Sequence, residues 1–213
     1  MTHRHNLTLV LVRHGETEGE SSIRYHGRND VALSKLGRAQ MVAARREIET
    51  RFSDSIFDHI FATPLSRARE GAKLIVGHDA NIITVEEFIE IHFGLFEGLT
   101  KEEVQERHPI EFEKWRAEPL APSYTYPEGE SRAGFAERVE RGLATTLKLI
   151  EAAKRAESER GLIVAHRGVI RAIVRALTGT EPEVDLGSIQ ILARDSKWHP
   201  LVLDFTAHLE RVA

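Results

Sequence analysis

Two short polar motifs, Arg13-His14-Gly15 and His166-Arg167-Gly168, each follow directly on an apolar run. An arginine guanidinium donates paired hydrogen bonds that suit phosphate or carboxylate oxygens. A neutral histidine carries a nucleophilic ring nitrogen, and a glycine lets the backbone approach a ligand closely. Because both motifs place a histidine beside an arginine, we expect them to form one site for an anionic group.

His14 has three chemical interpretations: metal ligand, general base or nucleophile. The neighbouring Arg13 repels a cation and attracts an oxyanion, so it argues against a metal site. A histidine at the end of a strand is also commonly a structural residue. The motif residues alone do not decide between these interpretations.

The apolar runs that precede the two motifs, residues 7–12 and 162–165, consist of strand-favouring residues. Such continuous runs are typical of strands buried on both faces of a parallel sheet. Open α/β sheets bind ligands at the carboxyl ends of these strands. Strand-like and helix-like segments alternate along the chain, which predicts an α/β three-layer sandwich with a mostly parallel central sheet and helices on both faces.

Hydrophobic spacing and start and stop signals predict the other elements. Ser34 is the expected cap of a helix that ends at about residue 52. Further helices are predicted from Pro64 to about residue 77, from Ser131 to about residue 150, and after His166. Predicted strands are 57–62, 81–88, 188–192 and 201–205, the last two as a hairpin at the sheet edge.

Residues 91–130 interrupt this alternation with repeated prolines and glycines and with short helical pieces at about 100–107 and 110–117. The segment is too short to build a core of its own. We therefore expect a single domain over residues 1–213, in which 91–130 form a loop and helix insertion over the active site.

The bulk composition excludes several classes of protein. The 213 residues carry a formal net charge of −4, so no global basic field favours nucleic acid as a partner. The absence of cysteine excludes disulfides, thiolate chemistry and Cys-ligated zinc. No apolar run approaches the ~18–20 residues of a membrane span, and the N-terminus lacks the apolar stretch of a signal peptide. We expect a cytoplasmic protein that does not bind a membrane.

Six motifs together resemble the histidine phosphatase superfamily, in its phosphoglycerate mutase-like branch. They follow the family's order and extend over roughly residues 7–205. The motifs are LVRHGET at 11–17, GRND with LSKLGRAQ between 27 and 40, TPLSRA at 63–68, IEI with GLFEG between 89 and 98, PEGES at 127–131 and VAHRG at 164–168. The resemblance implies the phosphoglycerate mutase-like form of the three-layer fold.

The resemblance also implies a role for each chemical group. His14 would attack phosphorus in line and carry a phosphohistidine, while Arg13, Arg67 and His166 grip the equatorial oxygens. The charged form of His166 is favoured beside a phosphate dianion. Glu90 would protonate the leaving oxygen and then help to deprotonate the incoming water. Since the cationic pocket replaces a metal ion, no metal or other cofactor is expected.

A second set of residues is expected to contact the substrate: Gly15, Thr17, His26, Gly27 and Arg167. Some alternatives stay open. Glu97 lies near Glu90 in sequence and is a rival for the role of the acid. Arg67 and Glu90 have the further alternative of being surface charges.

The chain departs from the family pattern at the rim of the pocket, which we expect residues 18–30 and 91–130 to form. Gly19-Glu20 stand where many relatives carry Trp-Asn, and Phe96 replaces a tryptophan. Arg167 stands where glycine is typical, and it either contacts the anion or points to solvent. These departures leave the catalytic groups in place and put the substrate in question.

The sequence thus predicts a metal-independent phosphatase that hydrolyses small phosphomonoesters. The alternative is a phosphoglycerate mutase, but relatives with strong mutase activity have a longer segment between acid and second histidine, whereas 75 residues separate Glu90 from His166 here. A non-catalytic phosphate-binding module is a third alternative. The expected partner is a small phosphorylated metabolite, and the edge strand at 201–205 could pair in a homodimer.

Overall fold

A computed structural model describes residues 6–19, 23–52, 57–118, 121–153, 158–210 and 212. The strands are β1 (Leu7–Arg13), β2 (His59–Ala62), β3 (Ile83–Thr84), β4 (Glu159–Ala165), β5 (Ile189–Arg194) and β6 (Trp198–Phe205). The helices are α1 (Lys35–Arg51), α2 (Ser66–Val76), α3 (Lys101–Arg107), α4 (Pro109–Ala117), α5 (Arg132–Ala153) and α6 (Arg167–Thr178). Single-turn 3-10 helices lie at Glu86–Phe88, Gly94–Phe96 and Ala207–Leu209.

The strands form one sheet in the order β3-β2-β4-β1-β5-β6. β1 pairs in parallel with β4 and antiparallel with β5, and β2 is parallel to both β3 and β4. β5 and β6 form the predicted antiparallel hairpin at the edge. The register of β1 on β4 places Arg13 opposite Ala165. The residues that follow, His14 and His166, therefore leave the sheet side by side.

Successive residues of the central strands face opposite sides of the sheet. Leu9 and Leu11 pack in an apolar cluster with α5 and α6, while Val10 and Val12 pack with α1 and α2. Each fully buried side chain of this size contributes roughly 1.5–3 kcal/mol through burial. The three-layer α/β fold predicted from the sequence is confirmed. In the ranges that the structure describes, no helix is both long and apolar enough to cross a bilayer.

Helix α1 begins where the sequence predicts, because Ser34 caps it. The Ser34 hydroxyl accepts a hydrogen bond from the N–H of Gly37 at 3.0 Å. The same turn packs against the loop after β1. A Cβ on Gly15 would overlap the carbonyl oxygen of Gly37, and a Cβ on Gly37 would overlap that of Glu16. The two glycines thus let the backbones touch, which holds the loop after β1 against α1.

Strand β3 is shorter than predicted. It spans Ile83–Thr84 instead of 81–88, because the chain then turns into the 3-10 helix Glu86–Phe88. That turn buries Phe88 in the core, whereas a straight strand would continue along the sheet edge.

Helix α2 begins at Ser66 rather than at Pro64. The carboxylate of Asp30 accepts hydrogen bonds from both the N–H and the hydroxyl of Ser66, each at 2.7 Å. This side chain satisfies a donor of the first helical turn. It also ties the start of α2 to the loop that contains Asp30.

The segment 91–130 packs on the face of the sheet that carries α5. Its buried side chains join the cluster of Leu9 and Leu11, and they include Phe96, Val104, Phe112 and Tyr126. The segment also holds the loop at 23–28. The N–H of Tyr25 donates to the carbonyl of Leu99 at 3.0 Å, and the N–H of Gly98 donates to the carbonyl of Tyr25 at 2.8 Å. This pairing brings the loop at 23–28 beside the carboxyl end of β1.

Candidate active site

His14 and His166 lie next to each other at the carboxyl ends of β1 and β4. Their ring centroids are 5.1 Å apart, at an interplanar angle of 65°. The backbone N–H of His14 donates to the carbonyl of Ala165 at 3.1 Å, so the sheet ladder itself sets the spacing. The two residues are 5% and 1% exposed. The structure therefore brings the two sequence motifs into one buried site, as expected.

The His14 ring is held in one tautomer. Its Nδ1 lies 2.7 Å from the carbonyl oxygen of Gly15, and since a carbonyl can only accept, Nδ1 carries the proton. Nε2 is then left with a lone pair. Burial, followed by the charges of Arg67 and Arg13, holds the pKa of His14 well below its usual value. The ring is thus kept neutral, with one nucleophilic nitrogen.

His166 contacts Thr63, which lies at the carboxyl end of β2. Nε2 of His166 is 2.8 Å from the Thr63 hydroxyl oxygen, and that oxygen also accepts from the N–H of Leu65 at 3.4 Å. A Thr63 hydroxyl that donates to Nε2 leaves the ring proton on Nδ1. Nδ1 is buried and has no hydrogen-bond partner in the described part of the chain. The proton on Nδ1 is therefore not used by another group of the described chain.

The charged form of His166 is expected beside a phosphate dianion, and the surroundings of the ring in the protein itself act against it. Burial, followed by the charge of Arg67, lowers its pKa well below the usual value. The charged form expected from the sequence therefore depends on the negative charge of a bound phosphate. A neutral ring with its proton on Nδ1 is already a hydrogen-bond donor.

Arg67 is buried at the start of α2 with 2% of its surface exposed, which excludes the surface-charge alternative. Its two terminal nitrogens donate to the carbonyl oxygens of Gly27 and Asn29, each at 2.7 Å. Nε has no partner in the described residues. Burial lowers the pKa of Arg67, although nearby carboxylates, Glu90 first among them, oppose this shift.

Arg13 is held by the loop that precedes β5. Its Nη1 donates to the carbonyl of Val184 at 2.9 Å, and its Nε is buried without a partner in the described residues. Burial, followed by repulsion from Arg167, lowers the pKa of Arg13 to about 10. In the ranges given above, neither Arg13 nor Arg67 forms an ion pair. Two buried guanidinium groups without carboxylate partners are costly unless they bind an anion.

Glu90 is 8% exposed and follows the 3-10 helix after β3, so it too is not a surface charge. Its two carboxylate oxygens accept hydrogen bonds from the N–H groups of Ile91, at 2.9 Å, and Gly168, at 3.1 Å. The rival Glu97 instead accepts from the N–H groups of Arg28 and Phe93. Glu90 lines the cavity that contains His14, and Glu97 does not. The geometry therefore favours Glu90 as the acid.

His14 opens into a cavity of about 560 Å³, which we call the histidine cavity. Its lining residues are Arg13, His14, Ile23, Arg24, Tyr25, His26, Gly27, Arg67, Glu90, Phe93, Arg167, Asp185 and Leu186. His26, Gly27 and Arg167 thus lie where substrate contact was expected. The cavity wall contains more arginines than carboxylates, which suits an anionic ligand.

His166, which was expected to bind the equatorial oxygens, is not in the wall of this cavity. Gly15 and Thr17, two expected substrate contacts, are not in the wall either. Gly15 instead permits the close approach of the loop after β1 to α1. Thr17 is buried and forms a backbone bridge with Leu33. Both residues therefore support the loop that carries His14.

His26 and Arg167 both line the histidine cavity. Burial, followed by the charge of Arg67, lowers the pKa of His26, and its Nε2 has no partner among the described atoms. Arg167 is paired with Glu183 at 3.2 Å and is 46% exposed in its side chain. Arg167 therefore lines the cavity and is also partly exposed to solvent, and its contact with the anion stays a prediction.

A model of the histidine phosphatase superfamily (branch 1) matches residues 9–197. The chain belongs to the histidine phosphatase superfamily. It is 32% identical over 174 residues to phosphoserine phosphatase 1 of Hydrogenobacter thermophilus, covering 81% of this chain and 77% of that protein. It is 31% identical over 184 residues to a 2,3-bisphosphoglycerate-dependent phosphoglycerate mutase of Bartonella henselae, covering 83% of this chain and 84% of that protein.

Solved structures share the fold of this histidine phosphatase. The mycobacterial glucosyl-3-phosphoglycerate phosphatase, solved in complex with VO3, superposes with a TM-score of 0.77 at 26% identity, covering 96% of this chain and 100% of that chain. The resemblance noted from the six sequence motifs is thus confirmed at the level of superfamily and fold.

Three residues of the site in this histidine phosphatase, Thr63, Asp185 and Leu186, were not among those expected from the sequence. Thr63 stands in a recognised motif, and its position at the end of β2, next to β4, was the available clue to its contact with His166. Asp185 and Leu186 lie outside the two segments expected to form the rim. They reach the cavity because the antiparallel β5 returns beside β1, a pairing that no local pattern indicates.

Two further features concern the rim and metals. Gly19 has φ +72°, a left-handed conformation that favours glycine, whereas the neighbouring Glu20 lies outside the described residues. Among the residues that the structure describes, no three His, Asp or Glu side chains are grouped in a way that could hold a metal ion.

Proposed function

We propose that this histidine phosphatase hydrolyses small phosphomonoesters without a metal ion, through a phosphohistidine on His14. One observation carries the proposal. A neutral His14, with its proton on Nδ1 and its lone pair on Nε2, lies beside two buried guanidinium groups that have no carboxylate partner in the described residues. A nucleophile and a cationic clamp in one cavity match the needs of phosphoryl transfer.

In the first step, the lone pair of His14 Nε2 attacks phosphorus, and the bond from phosphorus to the leaving oxygen breaks. Glu90, in its protonated form, gives its proton to that oxygen, so the product leaves as an alcohol. Arg13 and Arg67 bind the equatorial oxygens, where charge is concentrated in the transition state. Nδ1–H of His166, which has no acceptor in the described residues, would provide a further donor to the phosphate.

In the second step, Glu90 takes a proton from a water molecule, whose oxygen attacks phosphorus while the N–P bond breaks. Inorganic phosphate leaves, His14 regains its lone pair, and Glu90 regains the proton that it lost. The carbonyl of Gly15 holds the same ring nitrogen throughout, so the tautomer needs no change between the steps. The cations supply the charge stabilisation that a metal ion supplies elsewhere.

A mutase activity is the second candidate. The chain is 31% identical to a protein named as a phosphoglycerate mutase, almost the same as its 32% identity to the phosphoserine phosphatase. The two activities share the first step and differ in the acceptor. A mutase returns the phosphoryl group to a hydroxyl of the substrate, whereas a phosphatase transfers it to water. Turnover of phosphoglycerate, measured with and without a bisphosphoglycerate primer, separates them. We expect release of inorganic phosphate without dependence on the primer.

The decisive experiment is rapid quench of the enzyme with denaturant at alkaline pH during turnover of a labelled phosphomonoester. We expect label on His14 that is labile in acid and stable in base. His14→Ala should lower hydrolysis of p-nitrophenyl phosphate by about 1,000-fold or more, as removal of a nucleophile does. His78→Ala, at an exposed position outside the cavity, is the matched control. Full activity of His14→Ala, or no trapped label under burst conditions, would reject the covalent route.

A further inference from the structure

A second cavity, of about 710 Å³, adjoins the histidine cavity. The two share Tyr25, Glu90, Phe93 and Arg167 in their walls. Glu90 is the group that protonates the leaving oxygen in the proposed mechanism. The part of a substrate beyond that oxygen therefore lies on the side of Glu90 where the second cavity opens.

The wall of this second cavity is rich in aromatic rings, so we call it the aromatic cavity. The rings that line it are Tyr25, Phe93, Trp115, Tyr126 and Phe135. Phe93 lies between two of them, with edge-to-face contacts to Tyr25 at 5.2 Å and to Tyr126 at 5.0 Å between centroids. Aromatic side chains packed in this way form a rigid apolar surface that suits a ring of the ligand.

The aromatic cavity also carries an excess of positive charge. Besides Arg167, it is lined by Arg132, Arg171 and Arg175. Glu181 neutralises only part of this charge, because its carboxylate is shared by Arg171 at 3.0 Å and Arg175 at 3.9 Å. An apolar ligand would leave the excess charge uncompensated.

Arg132 is the arginine whose charge is most available. No carboxylate pairs with it in the described ranges; its Nη2 donates to the hydroxyl of Tyr126 at 3.2 Å. Its guanidinium lies over the rings of Tyr124 and Tyr126, at 5.5 and 5.7 Å from the centroids. Neutral partners therefore hold the group in place without cancelling its charge. Trp115 adds an indole N–H that is buried without an acceptor among the described atoms.

We propose that the aromatic cavity binds the leaving group of the substrate, and that this leaving group carries a ring together with a second anionic group that pairs with Arg132. This inference rests on the proposed function and specifies its substrate class. The ring packs between the aromatic side chains, while the second anion neutralises Arg132. A leaving group as small as an amino acid or a glycerate would fill only part of a cavity of this volume.

Inhibition by phosphonates tests this proposal without interference from differences in leaving-group reactivity. The set comprises propylphosphonate, benzylphosphonate, and benzylphosphonates that carry a carboxylate or a neutral carboxamide at the meta or para position. Competition against p-nitrophenyl phosphate gives the inhibition constants. We expect benzyl to bind about 10-fold more tightly than propyl. At one ring position at least, we expect carboxylate to bind about 10-fold more tightly than carboxamide.

Two variants test the contact with the second anion and the contact with the ring separately. Arg132→Gln should remove the preference for carboxylate over carboxamide and retain the preference for benzyl over propyl. Trp115→Leu should reduce the preference for benzyl over propyl through weaker binding of benzylphosphonate, while the inhibition constant of propylphosphonate, which has no ring, should change by less than about threefold. Arg116→Gln, exposed and paired with Glu113 on the same helix α4 as Trp115, is the control.

The outcomes separate the two proposals. If carboxylate and carboxamide bind equally at both ring positions, or if Arg132→Gln keeps the preference, the inferred anion contact is wrong. Equal binding of benzyl and propyl would exclude the ring contact. In each of these cases the wild-type protein still hydrolyses p-nitrophenyl phosphate, so the proposed function stands. If the wild-type protein hydrolyses no phosphomonoester at all, the proposed function and this inference both fail.

Discussion

The hydroxyl oxygen of Thr63 lies 2.8 Å from Nε2 of His166, and it joins the ends of two neighbouring parallel strands. Because the same oxygen accepts from the N–H of Leu65, its own proton is available for the ring. The contact directs the ring proton to Nδ1. Thr63 is thus a positioning residue that acts through His166.

Thr63→Val should therefore lower kcat for p-nitrophenyl phosphate by about 10-fold, because His166 loses the partner that orients it. KM should change by less than about threefold, since Arg13 and Arg67 still bind the phosphate. Thr146→Val is the control, as Thr146 is equally buried but its hydroxyl has no partner in the described residues. An equal loss of activity in both variants would show that Thr63 acts only through packing.

Glu90→Gln separates the two chemical steps. Phosphorylation by p-nitrophenyl phosphate should stay within about 10-fold of wild type because nitrophenolate needs no proton, whereas an alkyl phosphate should react about 100-fold or more slowly. Hydrolysis of the phosphohistidine should slow as well, which produces a burst of nitrophenol in stopped-flow measurements. Equal effects on both esters would contradict the role of Glu90 as the acid.

Arg67 should couple anion binding to stability. At about 100 times its Kd, inorganic phosphate or vanadate should stabilise the wild-type protein by about 2.7 kcal/mol, which raises Tm by roughly 5–10 °C. Arg67→Met should lose most of this shift, because it removes a buried guanidinium group from the wall of the histidine cavity. Arg116→Met, at an exposed site, should keep the whole shift. A shift that survives in Arg67→Met would place the anion elsewhere.

The stability of the unliganded protein should fall at acidic pH. Burial lowers the pKa of His14 and of His166 in the folded state, whereas an unfolded histidine titrates near 6.5. Below about pH 6.5 the unfolded chain therefore binds more protons than the folded one, and protonation favours unfolding. Each histidine should cost up to about 1.4 kcal/mol per pH unit as pH falls below that value, and none of this loss occurs above it.

Urea unfolding in phosphate-free buffer, at about pH 5.5 and about pH 8, measures this effect. The double variant His14→Gln, His166→Gln should show a smaller difference in the free energy of unfolding between the two pH values. His78→Gln, which replaces an exposed histidine, should match the wild type. A double variant with an unchanged pH dependence would assign the effect to other groups.

Gly37→Ala should destabilise the protein by about 2–4 kcal/mol, because its Cβ would overlap the backbone of Glu16. Gly71→Ala is the matched control in α2. There the new Cβ would meet the flexible end of Met41 at 3.0 Å, and alanine favours the helix. Urea unfolding of both variants tests the contact between α1 and the loop after β1. Equal free energies of unfolding for the two variants would show that the backbone around Gly37 shifts to accommodate the new Cβ at little cost.

The strand ends that carry the site follow from local sequence. An unbroken apolar run specifies a strand buried on both faces, and the residue after it must lie at the edge of the sheet. This local rule places Arg13-His14 and His166-Arg167 correctly. It fails for β3, where the burial of Phe88 bends the chain after two strand residues.

The sequence by itself determined the superfamily of this protein and pointed to the residues that we propose as catalytic, because both depend on short patterns along the chain. Only the tertiary structure decided the tautomer of His14, the contact of Thr63 with His166, and the joining of Phe93 and Arg132 in the wall of one aromatic cavity. The contact of Thr63 with His166 and the shared wall of Phe93 and Arg132 depend on groups far apart in sequence, whose distances are set by strand register and by packing between layers. The tautomer of His14 depends on the orientation of its ring toward the carbonyl of the adjacent Gly15. Local sequence patterns describe neither strand register nor the packing between layers. The proposed chemistry could therefore be predicted from the sequence, whereas the shape and charge of the substrate site could not.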